Sequence, residues 1–390
     1  MRQTGKRKCI YIALLLTMTL PLAGCWDTTE PERMVYVHGL GIDYKDQQYT
    51  VYLQILNPRL LAKSEVASGA SGTKVEVGRA SGKTIDDAIF KLYKSSQRRI
   101  FWGHLSFVLF TEEALKAEGI QATTDLLDRY RETRYRLWMY ATNEPLLDVL
   151  TAVPIMEMST ALSRLSDPLA TYEQSSFVKP IDMRELFILL NEPPYEANIP
   201  YINLIKENIW KTEKKSHPVI QIKGIASIKN KKLQKVIKNQ NIYGLRWMTK
   251  DMEREALNLS ANGFSDVSLL INKVKVKIKP IVKQSNIQFA ISIKADAVLR
   301  ENPKDKSLKK IMQVAEQTIK QQVKETYLHG VESNIDIYRL SEMLYRKNVQ
   351  AWKNAEQNGK VPLTEDSIQK LDVQLHLIHG EKNRKRSTIK

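Results

Sequence analysis

The first residue with an assignable chemistry is a cysteine that closes a short apolar run. A basic head and an apolar stretch over residues 9–22 precede the tetrapeptide Leu22-Ala23-Gly24-Cys25. A basic start, an apolar segment and small residues before a cleavage point are typical of a secretory signal peptide. The tetrapeptide matches the bacterial lipobox, in which the cysteine sulfur is acylated and the chain is cut just before it. We therefore predict that Cys25 is the lipid attachment residue, as an S-diacylglycerol and N-acyl cysteine.

An ordinary signal peptide with an accidental cysteine is the alternative interpretation of this segment. In either case the run 9–22 is shorter than the roughly 20 residues that a membrane-spanning helix needs. Each buried methylene of an acyl chain contributes about 0.8 kcal/mol, and a single chain binds only marginally. A diacylglyceryl group brings two chains, so we expect the mature protein to stay on the outer face of a membrane.

The other residues that could do chemistry are few and poorly spaced. Cys9 and Cys25 are the two cysteines, and Cys9 lies in the predicted signal peptide, which excludes a disulfide framework, a cysteine zinc site and a thiol nucleophile. His376 and His379 would point to opposite faces of a strand. No Gly-x-Ser-x-Gly motif occurs. We predict no catalytic, cofactor-binding or metal site, and therefore no enzyme.

Two stretches allow a binding interpretation beside a structural one. Residues 78–84, GRASGKT, resemble a phosphate-binding loop, but only three residues separate Gly78 from Gly82 where that motif needs four, so a capped turn is favoured. Residues 271–280 alternate lysines with Val274, Val276 and Ile278. The lysines could form a ridge that binds lipid or polyanions, or they could protect an edge strand from pairing with another sheet.

Charge divides the chain into two unlike halves. The net charge is +17, but residues 26–200 hold 19 Lys and Arg against 24 Asp and Glu, whereas residues 201–390 hold 37 against 19. A basic half can serve solubility, or can bind acidic lipid headgroups or an acidic protein. Nucleic acid is not an expected partner for an exported lipoprotein.

Apolar periodicity predicts alternating strands and helices in the first half. Residues 34–44 and 48–56 read as two strands joined by a turn at 45–47, and residues 100–110 as a buried strand. Residues 84–97 have helical spacing with Thr84 as a suitable cap. The further elements predicted in this half are a loop at 61–74, helices at 112–120, 124–133, 144–153 and 175–191, and a strand at 135–143.

After a proline-rich break at 191–200 the pattern becomes strand-rich. The elements predicted there are a strand pair over 217–237, a hairpin of 271–280 with 286–301, helices from Leu308 and over 337–354, and a last strand at 371–380. The predicted fold class is α+β, with about three mixed α/β domains behind the lipoprotein signal peptide. The predicted segments are a signal peptide at 1–24, an N-terminal domain at 25–200, a middle domain at 201–270 and a C-terminal basic domain with a polar tail at 271–390.

Several of these stretches together resemble the Ger(x)C family, the lipoprotein C subunit of spore germinant receptors. Gly24-Cys25-Trp26-Asp27 resembles its mature start, and residues 39–43, GLGID, resemble its first strand. Thr28-Thr29 departs from the family's usual basic-acidic pair. The other matching positions are Gly82-Lys83-Thr84-Ile85 with Ala88, Arg99 with Phe101-Trp102-Gly103-His104, Glu118-Gly119-Ile120, Leu127-Asp128, Arg131, Arg134, Asp336-Ile337-Tyr338 through Leu344, Tyr345 and Trp352, and residues 371–380.

The resemblance implies an elongated, non-catalytic lipoprotein on the outer face of the spore inner membrane of an endospore-forming bacterium. It implies a role in germination signalling or receptor assembly, with the membrane-embedded A and B subunits and membrane lipid as partners. It does not say whether this subunit contacts the small-molecule germinant. Trp102 and His104 could belong to a partner surface, or to a buried strand with a satisfied histidine. The alternative function is a lipid-anchored solute-binding protein of a transporter, which would need two similar lobes around a cleft.

Overall fold

The structure of the chain is a computed structural model. The residues that it describes are 11, 33–56, 75–152, 154–155, 160–206, 209–211, 216–250, 252–259, 263–283 and 286–378. Cys25, the predicted loop at 61–74 and, apart from residue 11, the predicted signal peptide lie outside these residues.

The first elements follow the prediction closely. Strand β1 (Met34–Lys45) and strand β2 (Gln48–Leu56) form an antiparallel hairpin, and β3 (Val75–Gly82) pairs with β2 on its far side. Helix α1 (Ile85–Ser95) begins at Thr84, whose hydroxyl accepts a hydrogen bond of 3.1 Å from the backbone N–H of Asp87. Residues 78–82 therefore belong to a paired strand followed by a capped helix, which confirms the structural interpretation of GRASGKT.

The predicted strand at 100–110 is wrong in one respect, because it is interrupted. Strand β4 (Arg99–Phe101) and strand β5 (Phe107–Thr111) flank a loop in which the backbone N–H of Ser106 donates to the carbonyl of His38. The side chain of Trp102, at the start of this loop, is buried in the core. The elements that follow are α2 (Glu112–Lys116), α3 (Gly119–Leu127), β6 (Trp138–Thr142), α4 (Leu146–Thr151), α5 (Pro168–Gln174) and α6 (Met183–Asn191).

Strand β7 (Glu196–Ile205) was missed, because the prolines around it predicted a break. It is buried along most of its length and pairs with β8 (Val219–Lys229), which forms a hairpin with β9 (Lys232–Lys238). Within the described residues the sheet has nine strands in the order β3-β2-β1-β5-β6-β7-β8-β9, with β4 on β1. Strands β1, β4, β5 and β6 run parallel, and helices cover both faces of the sheet.

The second half builds a smaller sheet against one long helix. The elements are α7 (Tyr243–Met248), β10 (Arg254–Asn258), β11 (Ser268–Lys283), β12 (Asn286–Glu301), α8 (Leu308–Glu332), α9 (Leu340–Lys347), α10 (Val349–Ala355) and β13 (Ile368–Leu377). The strand order is β10-β11-β12-β13. Helix α8 packs on this sheet through buried residues spaced about one turn apart: Ile311, Ala315, Ile319, Val323 and Tyr327.

The predicted helix at 337–354 is divided into α9 and α10 at Asn348, whose side chain caps the second of them. The α+β class is confirmed by the two sheets and their helices. The predicted domain boundaries at 200 and 270 stay predictions about folding units. The backbone hydrogen bonds change from the nine-stranded to the four-stranded sheet between residues 238 and 254. We refer to the two parts as the N-terminal and C-terminal lobes.

The lysine stripe lies on β11 as its alternation predicted. Lys273, Lys275, Lys277 and Lys279 are exposed, whereas Val274 and Ile278 are buried. Strand β10 pairs only with residues 268–272, so in the part of the chain that the structure describes residues 275–283 pair with β12 alone. This half of β11 is thus an edge, where lysines discourage pairing with another sheet.

Candidate functional site

The predicted lipid attachment residue lies nine residues before β1. Cys25 is outside the described residues, and β1 begins at Met34. Nine extended residues reach at most about 30 Å. An acyl group on Cys25 would therefore hold the start of β1 within that distance of the membrane.

The N-terminal ends of four parallel strands, β1, β4, β5 and β6, lie along the same side of the sheet as Met34. Met34 in β1 is in register with Arg99 in β4, and Gly39 in β1 is in register with Phe107 in β5, which is in register with Trp138 in β6. Gly39 is required there, because a Cβ would lie 2.4 Å from the ring of Phe107. The segments that lead into β4 and β6 therefore lie towards the same end of these strands as Met34.

Trp102 anchors the loop that follows β4. Its side chain is 1% exposed, and its indole N–H donates to the hydroxyl of Tyr93 at 2.7 Å. Its ring stacks on Tyr130 at 5.3 Å, and its backbone N–H donates to the carboxylate of Glu132 at 3.2 Å. Trp102 is therefore a core residue and offers no partner surface of its own.

His104 lies in the same loop but faces outwards. Its side chain is exposed, and its ring packs edge-on against Tyr36 at 4.9 Å. The interpretation of a histidine satisfied within a buried strand is wrong, because residues 102–106 leave the sheet. His104 and Trp102 are neighbours in sequence with opposite environments.

Arginines surround the cleft next to Trp102. A cavity of about 380 Å³ is lined by Arg98, Arg99, Arg129 and Arg131 together with Tyr93, Ile100, Trp102, Tyr130 and Glu132. Arg99 pairs with Glu132 at 2.9 Å. Two more exposed arginines precede β6 directly. We call the six exposed side chains the arginine edge: Arg98, Arg99, Arg129, Arg131, Arg134 and Arg136.

His38 is a buried titratable group in β1. It is 6% exposed, its Nε2 lies 2.6 Å from the hydroxyl of Ser166, and its Nδ1 lies 3.4 Å from the hydroxyl of Ser106. Burial disfavours the charged ring and lowers the pKa of His38 to about 4. The folded chain therefore holds His38 neutral at pH values where an unfolded chain begins to protonate it.

Replacing His38 with asparagine should flatten part of the dependence of stability on pH. The folded pKa is depressed, so the stabilisation is complete above the unfolded value of 6.5 and is lost as pH falls towards 4. The loss should reach about 3 kcal/mol in the wild type. Urea unfolding at a series of pH values would measure it. A His38→Asn variant that keeps the wild-type slope would contradict the assignment to His38.

A buried ionic cluster joins the two lobes. Glu196, at the start of β7, is 3% exposed and accepts hydrogen bonds of 2.8 Å from the side chain of Lys360 and from the backbone N–H of Asp336. Lys229 lies 3.6 Å from the same carboxylate, and Arg339 donates to the backbone carbonyl of Glu196. Because all of these groups are poorly solvated, the cluster ties the first sheet to the segment between α8 and β13.

Asp336 connects this cluster to the start of helix α9. Its carboxylate accepts hydrogen bonds from the backbone N–H groups of Leu340 and Ser341 at 2.8 and 2.7 Å. Burial raises the pKa of Asp336 to about 6. Its effect on stability has the opposite sign to that of His38, because the folded state favours the protonated carboxyl and loses stability as pH rises from 3.8 through 6. Comparing variants at each pH cancels this common contribution.

A second cleft, of about 500 Å³, lies between the lobes. Arg246 is buried in its wall, where it pairs with Glu255 at 3.4 Å and lies over the ring of Trp247 at 4.6 Å. Glu255 also accepts a hydrogen bond of 3.0 Å from Ser175 of the N-terminal lobe. Burial lowers the pKa of Arg246. The charged pair lies within the C-terminal lobe, and the hydroxyl of Ser175 connects it to the N-terminal lobe.

Within the described residues, no group of three or more His, Cys, Asp or Glu side chains is placed to hold a metal ion. His376 pairs with Asp296 at 3.6 Å, and His379 lies outside the described residues. No helix in the described part of the chain is both long enough and apolar enough to cross a membrane.

Comparison with known proteins gives consistent matches along the chain. The family model described as "Spore germination protein N-terminal domain" matches residues 27–204, and the one described as "Spore germination B3/ GerAC like, C-terminal" matches residues 223–379. "Spore germination protein KC" of Bacillus subtilis (strain 168) is 24% identical over 369 residues, which cover 89% of each chain. "Spore germination protein B3" of the same organism is 27% identical over 303 residues, covering 76% of this chain and 77% of the relative.

Among solved structures, "Crystal Structure of the GerBC protein" aligns with a TM-score of 0.49 and 18% identity, covering 88% of this chain and 97% of that chain. The two family models together take in most of the sequence, one after the other. The chain belongs to the Ger(x)C family of spore germination proteins.

Proposed function

We propose that this chain is the lipid-anchored, non-catalytic C subunit of a nutrient germinant receptor. The observation that carries the proposal is the pair of consecutive family matches at 27–204 and 223–379, which begin two residues after Cys25. Nearly all of the chain that follows the predicted cleavage point thus corresponds to spore germination domains. The curated relatives named for spore germination support the same role.

In this role Cys25 holds the folded domains at the outer face of the spore inner membrane, beside the membrane-embedded A and B subunits. Tethering raises the effective concentration of the partners, so that weak contacts suffice for assembly or signalling. Neither task requires a catalytic group. Trp102, His38 and Glu196 are buried, which fits a protein whose polar groups stabilise the fold.

A lipid-anchored solute-binding protein is the less suitable alternative. Such a protein closes two similar lobes around its ligand. Here one lobe contains a nine-stranded sheet and the other a four-stranded sheet of different strand order. The cleft between the lobes is also crossed by the hydrogen bond from the hydroxyl of Ser175 to Glu255. These differences favour the germination role.

The mass of the mature N-terminal peptide tests the anchor and the compartment together. It should be measured from inner membranes of dormant spores and from vegetative membranes. A lipid-modified peptide that starts at Cys25 and occurs mainly in spores would support the proposal. The same peptide found mainly in growing cells would overturn the spore assignment, and an unmodified peptide with another start would overturn the anchor.

Replacing Cys25 with alanine should release the protein from spore membranes and abolish most of its contribution to a nutrient response, while sporulation stays normal. The reason is that the variant has no sulfur to acylate. Fractionation of spores and the loss of optical density after nutrient addition would measure both effects. Cys9→Ala is the matched control, because residue 9 lies in the segment that cleavage removes. An intact response in a deletion strain without a compensating paralogue would contradict the proposed function.

A further inference from the structure

We propose that the arginine edge is a docking surface that binds the phosphate groups of anionic membrane lipids beside the anchor. The inference rests on the lipid attachment at Cys25 proposed above, and it adds a second, electrostatic contact between the protein and the membrane. This second contact is made by folded residues of the N-terminal lobe and not by the acyl chains.

The fold brings this surface to the anchored end of the molecule. Arg99 is the register partner of Met34, the first residue of β1, and Arg98 precedes it. Residues 129–136 lead into β6, whose start lies at the same edge of the sheet. Since Cys25 is at most about 30 Å from Met34 along the chain, the acyl group keeps this edge close to the lipid headgroups.

The arginine edge is positively charged, although the segment that contains it carries a net negative charge. Residues 26–200 carry 19 basic and 24 acidic side chains, and six of the 19 lie on this edge. Arg99 pairs with Glu132, which is partly buried. The side chains of Arg129, Arg131, Arg134 and Arg136 form no salt bridge with the described part of the chain, and all four are exposed. A concentrated positive patch within the otherwise acidic segment 26–200 favours an anionic surface of large extent.

The local geometry suits phosphate. A guanidinium group binds phosphate oxygens through two parallel N–H donors, and four arginines line the cleft of about 380 Å³. The stacked pair of Trp102 and Tyr130 forms a rigid floor under them. Two large aromatic side chains flank the edge, with Tyr135 56% exposed and Phe90 51% exposed. Aromatic residues of this kind are enriched at the level of lipid headgroups.

The anchor decides between a lipid surface and an acidic protein. A polybasic patch next to an acyl chain gains from each anionic lipid within a Debye length, about 10 Å at 0.1 M salt. Combining an acyl chain with such a patch is a general route to stable membrane attachment. The anchor keeps the arginine edge near the lipid headgroups at all times, whether or not a protein partner is bound.

Vesicle co-sedimentation of the mature chain carrying Cys25→Ser tests the proposal without interference from acyl chains. The chain should bind vesicles of phosphatidylcholine with one quarter phosphatidylglycerol, and should not bind vesicles of phosphatidylcholine alone. Binding should weaken steeply as salt is added. The double variant Arg129→Gln with Arg131→Gln should bind about 25-fold more weakly, which is about fivefold for each arginine.

The matched control is Lys277→Gln with Lys279→Gln, which removes the same charge from the exposed edge of β11 and should leave binding unchanged. Thermal unfolding should show that both double variants are folded. Equal binding to both kinds of vesicle, or a loss of binding only in the lysine variant, would overturn the proposal. So would binding of inorganic phosphate or of an acidic protein without any preference for phosphatidylglycerol. A negative result together with a lipid-modified Cys25 peptide would remove the docking surface and leave the proposed function standing.

Discussion

Replacing Glu196 with alanine is expected to lower the free energy of unfolding by about 3–5 kcal/mol. The carboxylate is 3% exposed and is the acceptor for the side chain of Lys360, which is 7% exposed. Lys229 lies in the same place, and burial lowers its pKa. Without Glu196 these two cations would remain in a poorly solvated pocket with no counter-charge. The backbone N–H of Asp336 would lose its acceptor as well.

Urea denaturation of the mature chain would measure this loss, and Glu192→Ala is its matched control. Glu192 also pairs across the lobes, with Arg346 at 3.2 Å, but both side chains are about half exposed. An exposed pair of this kind contributes about 0–1 kcal/mol. Similar losses in the two variants would show that the buried cluster is no more important than a surface contact. A large difference would locate the connection between the lobes at Glu196.

Replacing Trp102 with alanine should cost about 3–5 kcal/mol, as is usual for a fully buried tryptophan. The indole fills the space between Tyr93 and Tyr130 and holds the loop that leads from β4 to β5. Its removal leaves a cavity directly beneath the arginine edge. We therefore expect the variant also to lose part of the vesicle binding proposed above, since the arginines around the cleft would no longer be held in place.

Trp102→Phe separates packing from hydrogen bonding at this position. Phenylalanine keeps an aromatic ring but cannot donate to the hydroxyl of Tyr93 at 2.7 Å. The expected loss is about 1 kcal/mol, the usual net value of one such hydrogen bond, plus a smaller packing term. Thermal and urea unfolding would measure both variants. A loss for Trp102→Phe as large as that for Trp102→Ala would contradict the assignment of the main effect to packing.

Local signals in the sequence predicted the parts of the fold that depend on neighbours along the chain. The hairpin of β1 and β2, the cap of α1 by Thr84 and the alternation of β11 all follow from spacing over a few residues. Strand β7 was missed because prolines normally mark breaks, whereas Pro200 is accommodated within the sheet. The interruption of the strand at 100–110 depends on where Trp102 finds its partners, and spacing does not contain that information.

The buried cluster and the arginine edge could not be predicted from local sequence patterns either. Glu196 and Lys360 are 164 residues apart, and no local pattern connects them. The resemblance to the family singled out Arg99, Arg131 and Arg134 as matching positions, but only the parallel order of β1, β4, β5 and β6 brings them to one edge. Cys25 is the reverse case, because its signal is entirely local and the described residues do not include it.

Backbone pairing in the nine-stranded sheet is less extensive between β6 and β7 than between the parallel strands before them. Ladders of several residue pairs join β1 to β5 and β5 to β6, whereas β6 and β7 share the single pair of Ala141 with Tyr201. This boundary separates strands β1 to β6 from strands β7, β8 and β9. A force applied across it would act on fewer paired backbone residues than a force applied between β1 and β5 or between β5 and β6. We expect bending of the sheet to be easiest at this boundary, which the hydrogen bond from the hydroxyl of Thr142 to the carbonyl of Ile202 also crosses.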